Sequence, residues 1–376
     1  MILRTFGWSF GITAVGLVAA LLLGGPEALV LVAILSILEI SLSFDNAVVN
    51  AKILVRMSDF WQKIFLTIGI AIAVFGMRLV FPLLIVGITA QLSPIEAIRL
   101  ANEGGSAEEE GSYAYLLHEA HPDIAAFGGL FLLMLFLDWL FDEEREHHWL
   151  GFLERPLARL GQLDALAVVL GLGALAVAAE TLAEEPGEVL LSGVLGVMTY
   201  LLVNGLGSLF ESQGALGDDE EDAAPARRSG PSQVAKATGK AGFFLFLYLE
   251  VLDASFSFDG VIGAFAISNN IYIIAAGLGI GAMYIRSLTV YLVRKGTLSQ
   301  YIYLEHGAHW AIGALAVIML VSIGHEVPEV VTGLIGVAFI GAALLSSLQH
   351  NKKVGHGEVV TLDGHIEEHE TAIPRV

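Results

Sequence analysis

Residues 39–47 read Glu-Ile-Ser-Leu-Ser-Phe-Asp-Asn-Ala, inside an apolar run from 28 to 49. That run is long enough to cross a bilayer. It places Glu39, Asp45 and Asn46 where hydrocarbon is the default surroundings. A charge at the centre of a membrane helix costs about 2.5–3.5 kcal/mol on insertion scales. Few folds can absorb that cost without a partner for the charge.

The pattern recurs in the second half of the chain. Residues 249–262 read Leu-Glu-Val-Leu-Asp-Ala-Ser-Phe-Ser-Phe-Asp-Gly-Val-Ile. Aligning Ser43-Phe44-Asp45 on Ser257-Phe258-Asp259 pairs Glu39 with Asp253 and Asn46 with Gly260. An acid six residues before the Asp of Ser-Phe-Asp, twice and in apolar runs, implies a duplicated element whose acids share a task.

The rest of the chain agrees with a membrane setting. Of 376 residues, 55% are hydrophobic and only 15% charged, with mean hydropathy +0.72. These values predict an all-α, polytopic bundle; a barrel would show short alternating strands. Ten spans are expected, near 7–23, 28–50, 64–88, 122–141, 164–181, 188–208, 241–266, 271–293, 309–324 and 328–348. The first is read as a retained helix, because no small-residue cleavage pattern follows Leu23. With the N-terminus in the cytoplasm, Arg99 is the basic residue left outside, and Arg78 and Arg286 lie within spans. The other Lys and Arg residues, of 19 in all, then fall on the cytoplasmic side, as the positive-inside rule requires. Both termini are expected there, in a plasma or bacterial inner membrane.

This orientation makes span 2 and span 7 antiparallel and divides the chain into two five-span halves of inverted topology. A site is then expected near the midplane, between the repeats. The organisation expected is a first membrane half at 1–210, a disordered acidic linker at 211–240, a second membrane half at 241–348 and a tail at 349–376. The linker carries Asp218-Asp219-Glu220-Glu221-Asp222 and cannot bury enough apolar surface to fold alone. The tail carries His350, His356, His365 and His369 at wide spacing and reads as inert. The outer loop 89–121 reads as solvated, with a short interfacial helix starting at Pro94. In the loop 142–163, Trp149 and Phe152 read as interfacial anchors.

The intramembrane ionisable groups are Glu39, Asp45, Glu250, Asp253 and Asp259 against Arg78 and Arg286. Two guanidinium groups do not neutralise five carboxylates. The excess must be protonated, hydrated or bound to a cation. Glu39, Ser43 and Asn46 share one helical face. So do Glu250, Asp253 and Ser257. Asp45 and Asp259 sit about 120° off those faces in a regular helix. They join the site if the helix breaks near Ser-Phe-Asp; otherwise they pair with the Arg of the neighbouring span. The donor set of carboxylate, amide and hydroxyl oxygens suits Mn²⁺, Mg²⁺ or Ca²⁺ better than Cu⁺ or Zn²⁺. The chain has no cysteine, so thiolate ligation and disulfides are excluded. A net charge of −20 argues against nucleic-acid partners. No further constellation accompanies the paired acids, so an enzyme is not expected, and no resident cofactor either.

The stretch Glu39 to Ala47 resembles the signature helix of the TerC superfamily of integral membrane proteins. The second copy, Leu249 to Gly260, is similar to that of a long branch of the superfamily. The resemblance implies a multi-spanning protein linked with tellurite resistance and, in several members, manganese efflux. It implies that Glu39, Asp45, Asn46, Asp253 and Asp259 line the ion site. Gly260 replaces the amide of Asn46 in the second copy, a departure from the paired pattern. Two expectations follow: an exporter of Mn²⁺ coupled to protons, or a membrane scaffold that docks cytoplasmic stress-complex proteins and carries no flux.

Overall fold

The computed structural model describes residues 2–217 apart from 144, 146 and 164, residues 237–295 apart from 269, and residues 301–355 apart from 326. Most of the expected linker and the tail beyond Gly355 lie outside the described residues. The described chain is helical throughout; its one bridge joins Met57 and Ala237. In chain order the helices are α1 (Ile2–Leu42), α2 (Phe44–Arg56), α3 (Asp59–Ile64), α4 (Phe81–Thr89), α5 (Pro94–Glu103), α6 (Tyr113–Glu119) and α7 (His121–Leu140). Then come α8 (Gly151–Ala158), α9 (Leu166–Leu182), α10 (Pro186–Gly217), α11 (Gly239–Ile267), α12 (Ile271–Lys295), α13 (Leu304–Val321) and α14 (Glu329–Gly355). Between α3 and α4 the helix continues as two π-helical stretches, Phe65–Gly69 and Ile72–Val80.

Among the described residues, seven helices are long and apolar enough to cross a membrane, or eight if the bent pair around α8 and α9 counts as one. Helix is found over all ten stretches expected from the sequence. Two differences are informative. The stretch at α11 is not among the seven, although it is a single helix. Stretches 1 and 2 are joined in one 41-residue helix, α1. At 1.5 Å per residue that helix would be about 61 Å long, twice a hydrocarbon core.

It is not straight. Gly25 has φ +75, left-handed backbone that glycine adopts without strain, and Pro26 follows. Packing on α12 shows that the chain doubles back there. Ser9 donates to the Met283 carbonyl (2.9 Å) and shares a hydrogen bond with Ser287 (2.7 Å), while Gly16 faces Ile280. Farther on, Leu35 faces Gly277, Glu39 faces Gly281, and Thr289 donates to the Ala47 carbonyl. The first leg of α1 therefore runs antiparallel to α12 and the second leg parallel to it.

The same reading fixes α2 and α11. Asn46 meets Asp253, Val49 and Ile53 share a cavity wall with Leu245 and Tyr248, and Met57 pairs with Ala237. The two acidic stretches thus run in opposite directions side by side. The helix from Asp59 to Thr89 runs parallel to α11, with Trp61 near Gly242, Phe246 near Trp61, and Gly69 near Glu250.

Two apolar clusters bracket this crossing. The larger joins α2, α7, α10, α11 and α13 through Leu54, Phe131, Met134, Leu249, Leu252 and Ile312. The smaller gathers Leu35, Val86, Leu117, Val261, Ala264, Ile274 and Leu278. Polar groups lying between them are screened from water on both sides.

Candidate ion site

Four elements meet at the crossing: the second leg of α1 with α2, the π-helical stretch, α11 and α12. Glu39 is almost completely buried. Its Oε1 accepts from Ser43 Oγ (2.9 Å) and from Arg78 Nη2. Arg78 is buried as well. Its Nη1 donates to the carbonyl of Ala73, five residues back, which is the spacing of the π-helix that carries it. Pro82 follows by one turn. Lacking an N–H, it frees the Arg78 carbonyl and clashes with a tight α-turn there. The widened turn aims the guanidinium at Glu39.

Across the crossing, Asn46 Nδ2 donates to Asp253 Oδ1 at 2.6 Å. This bond ties the first acidic stretch to the second. Asp253 Oδ2, both oxygens of Glu250 and the Ser257 hydroxyl have no hydrogen-bond partner among the described residues. Glu250 and Asp253 open onto a cavity of about 40 Å³, which Asn50, Gly69, Arg78, Arg286 and Thr289 also line. A site needs only about 10–15 Å³ for one water, so the space suits a small ion with its last waters. Arg286 is half-buried at the cavity wall and has no ion-pair partner among the described residues.

The structure therefore brings together Glu39, Ser43, Asn46, Arg78, Glu250, Asp253 and Arg286, while Ser257 is buried one turn beyond Asp253 on α11 and does not line the cavity. Asp45 and Asp259 lie on the same two helices, but their side chains are outside the described residues. Of the two alternatives left open at Ser-Phe-Asp, a break is present once: the helix is interrupted at Ser43, whereas α11 runs unbroken through Ser257. Arg78 has taken Glu39 of its own half as its partner. Among the described residues no three His, Asp or Glu side chains are gathered closely enough to hold a metal. The guanidinium of Arg78 stands where a cation would sit against Glu39.

Two residues escaped the sequence reading. Gly69 and Gly281 form the floor under the two glutamates. A Cβ on Gly281 would lie 2.4 Å from both Cβ and Cγ of Glu39, and one on Gly69 would lie 2.7 Å from Glu250 Oε1. Each acid crosses a glycine of a facing helix. A signal existed: Gly69 interrupts a bulky apolar stretch, and Gly281 ends the small-residue series Gly277, Gly279, Gly281 along α12, both of which permit a close approach.

The architecture is that of a multi-pass helical membrane protein whose ionisable groups converge between antiparallel helices. Residues 44–354 match the model of one family, described as protein of unknown function (DUF475), and the chain belongs to that family. No curated protein and no solved structure matches it.

Proposed function

We propose that the chain is a carrier of a divalent cation, Mn²⁺ the first candidate, with the carboxylates at the crossing as its path. The observation that carries this reading is the cavity itself. Two buried carboxylates, Glu250 and Asp253, line it with the guanidinium groups of Arg78 and Arg286, Arg78 holds the buried Glu39 beside it, and three of the lining carboxylate oxygens lack a partner among the described residues. Uncompensated buried charge is costly and is retained in membranes where ions or protons pass. Asp45 and Asp259, on the same helices, would raise the negative excess.

In this reading ten helices cross the bilayer, in two five-span halves of inverted topology, with both termini cytoplasmic in a plasma or inner membrane. The halves rock about the crossing. Arg78 acts as a tethered counter-ion: it holds Glu39 in one state and yields to the transported ion in the other. Export as the direction rests on the TerC likeness; proton release coupled to metal binding rests on the excess of intramembrane carboxylates over arginines.

The test is metal flux into proteoliposomes together with metal-dependent thermal stabilisation of the purified protein. A ligand at a hundred times its Kd stabilises by about 2.7 kcal/mol. Glu250→Gln is the informative variant, because its oxygens have no hydrogen-bond partner to lose among the described residues. Loss of flux and of Mn²⁺ stabilisation at unchanged protein level is expected. Wild-type-like flux in both Glu250→Gln and Asp253→Asn would end the proposal. The Arg78–Glu39 pairing favours a second reading, a scaffold with structural acids. That reading predicts no flux and loss of cytoplasmic partners on deleting 213–235.

A further inference from the structure

We infer that the outward face of α8, with the turn that follows it, is a docking surface for anionic lipid headgroups. Helix α8 and the 3₁₀ turn Arg159–Gln162 lie across the end of the bundle, and the chain bends by 107° before entering α9. They sit at the end that carries Lys52. Glu305, which pairs with Lys52, and His306, which bonds Glu154 of α8, are neighbours on α13.

The inner face of α8 is pinned by its one acid. Glu154 is fully buried and accepts from the backbone N–H of Trp149 (3.1 Å) and Leu150 (3.2 Å), from His306 Nδ1 (3.1 Å) and from Trp310 Nε1 (3.0 Å). Arg145 Nη1 and His148 Nδ1 stand 3.6 Å from its Oε2. Burial raises a carboxyl pKa, but these hydrogen bonds and the His306 charge outweigh it and hold Glu154 down to about 2. Its negative charge is spent inward.

The other face is different in kind. Phe152, Arg155 and Pro156 are exposed and fall within an arc of about 100° on α8, and Arg159 and Leu160 in the 3₁₀ turn that continues it are exposed as well. Phe152 is 76% and Leu160 45% exposed. Neither Arg155 nor Arg159 has an ion-pair partner among the described residues. Apolar side chains flanked by two arginines, with the helix's acid withdrawn, are the makings of an interfacial helix. A basic residue near an anionic surface contributes about 1 kcal/mol of attraction, a factor of about five in partition, so the pair supplies roughly 25-fold.

The absence of native cysteine makes the test clean. Full-length protein carrying Leu160→Cys or Phe152→Cys, spin-labelled, is reconstituted in phosphatidylcholine nanodiscs with and without phosphatidylglycerol. With the anionic lipid, the label should be reached by oxygen and shielded from a water-soluble nickel chelate. In an Arg155→Gln/Arg159→Gln background the ratio of shielded to exposed label should fall roughly 25-fold. High salt should weaken it in the parent as well. Equal melting temperatures in phosphatidylcholine alone check that the arginine variants fold. Shielding that ignores phosphatidylglycerol or the arginines would overturn the inference. So would a label that stays water-accessible yet immobilised, the outcome if the chain's own acidic stretch 218–222 covers this face.

Discussion

The two acidic stretches share a sequence pattern and meet at one crossing, yet they are wired differently. In the first, Glu39 is held: Ser43 and Arg78 both donate to its Oε1, and the helix is interrupted at Ser43. In the second, α11 is continuous, Asp253 keeps one oxygen without a partner among the described residues, and Glu250 keeps two. The related arginines differ accordingly, Arg78 being buried against a carboxylate and Arg286 half-exposed at the cavity. One copy is closed by an internal cation and the other is left open to one. Under the proposed carrier reading, the two halves would be in different states and transport would exchange them.

The sharpest way to break this comparison is to remove each arginine in turn. Arg78→Met leaves Glu39 buried without its counter-charge. Losing one partner of a buried ion pair costs about 3–5 kcal/mol. Arg286→Met removes a half-exposed group with no described partner, and less than about 1 kcal/mol is expected. Thermal melting of the two variants in the same lipid should therefore diverge strongly. Equal destabilisation would mean that the two halves are wired alike.

Much of this was legible in the sequence, and the limits have physical causes. The repeat of acid and Ser-Phe-Asp located both sides of the crossing, because ionisable residues in apolar runs are rare enough to stand out. Basic residues predicted an orientation in which α2 and α11 oppose each other, and the contacts running from Asn46–Asp253 to Met57–Ala237 have them opposed. A pairing of Arg78 with an acid of the neighbouring span was readable, but the choice of Glu39 was not. It depends on the π-helical turns before Pro82, which rotate the side chain toward Glu39, and a regular 3.6-residue projection does not contain them. The reversal at Gly25 was expected as a loop between two spans; helical assignment runs through it because the turn is tight. The role of Glu154 was missed, since a Glu in a charged loop ordinarily faces water. Its signal lay in His306 and Trp310, two polar side chains on an apolar helix, which need a partner.

The second test concerns the bond that ties the copies together. Asn46→Leu removes the donor to Asp253 at 2.6 Å. A hydrogen bond to a charged group contributes about 1.5–3 kcal/mol. A double-mutant cycle of Asn46→Leu with Asp253→Leu should show coupling of that order in melting experiments. Additive effects would place the link elsewhere, and the two stretches would then be neighbours without being partners.

The smallest expected difference separates the two glycines. Gly281→Ala drives a methyl into the Cβ and Cγ of Glu39, next to its backbone. Such a stem cannot swing aside, so α1 and α12 must part, at about 1–3 kcal/mol. Gly69→Ala meets Oε1 at the far end of the Glu250 side chain. That end can move, and a loss below about 1 kcal/mol is expected. The displaced carboxylate would nonetheless leave the cavity wall, so flux should fall while stability hardly changes. Glu250→Asp, one methylene shorter, should then restore flux in the Gly69→Ala background and do no such thing in the Gly281→Ala background. A cycle that shows no rescue would mean that Glu250 only borders the cavity, and the contrast between a clamped copy and an open one would lose its functional meaning.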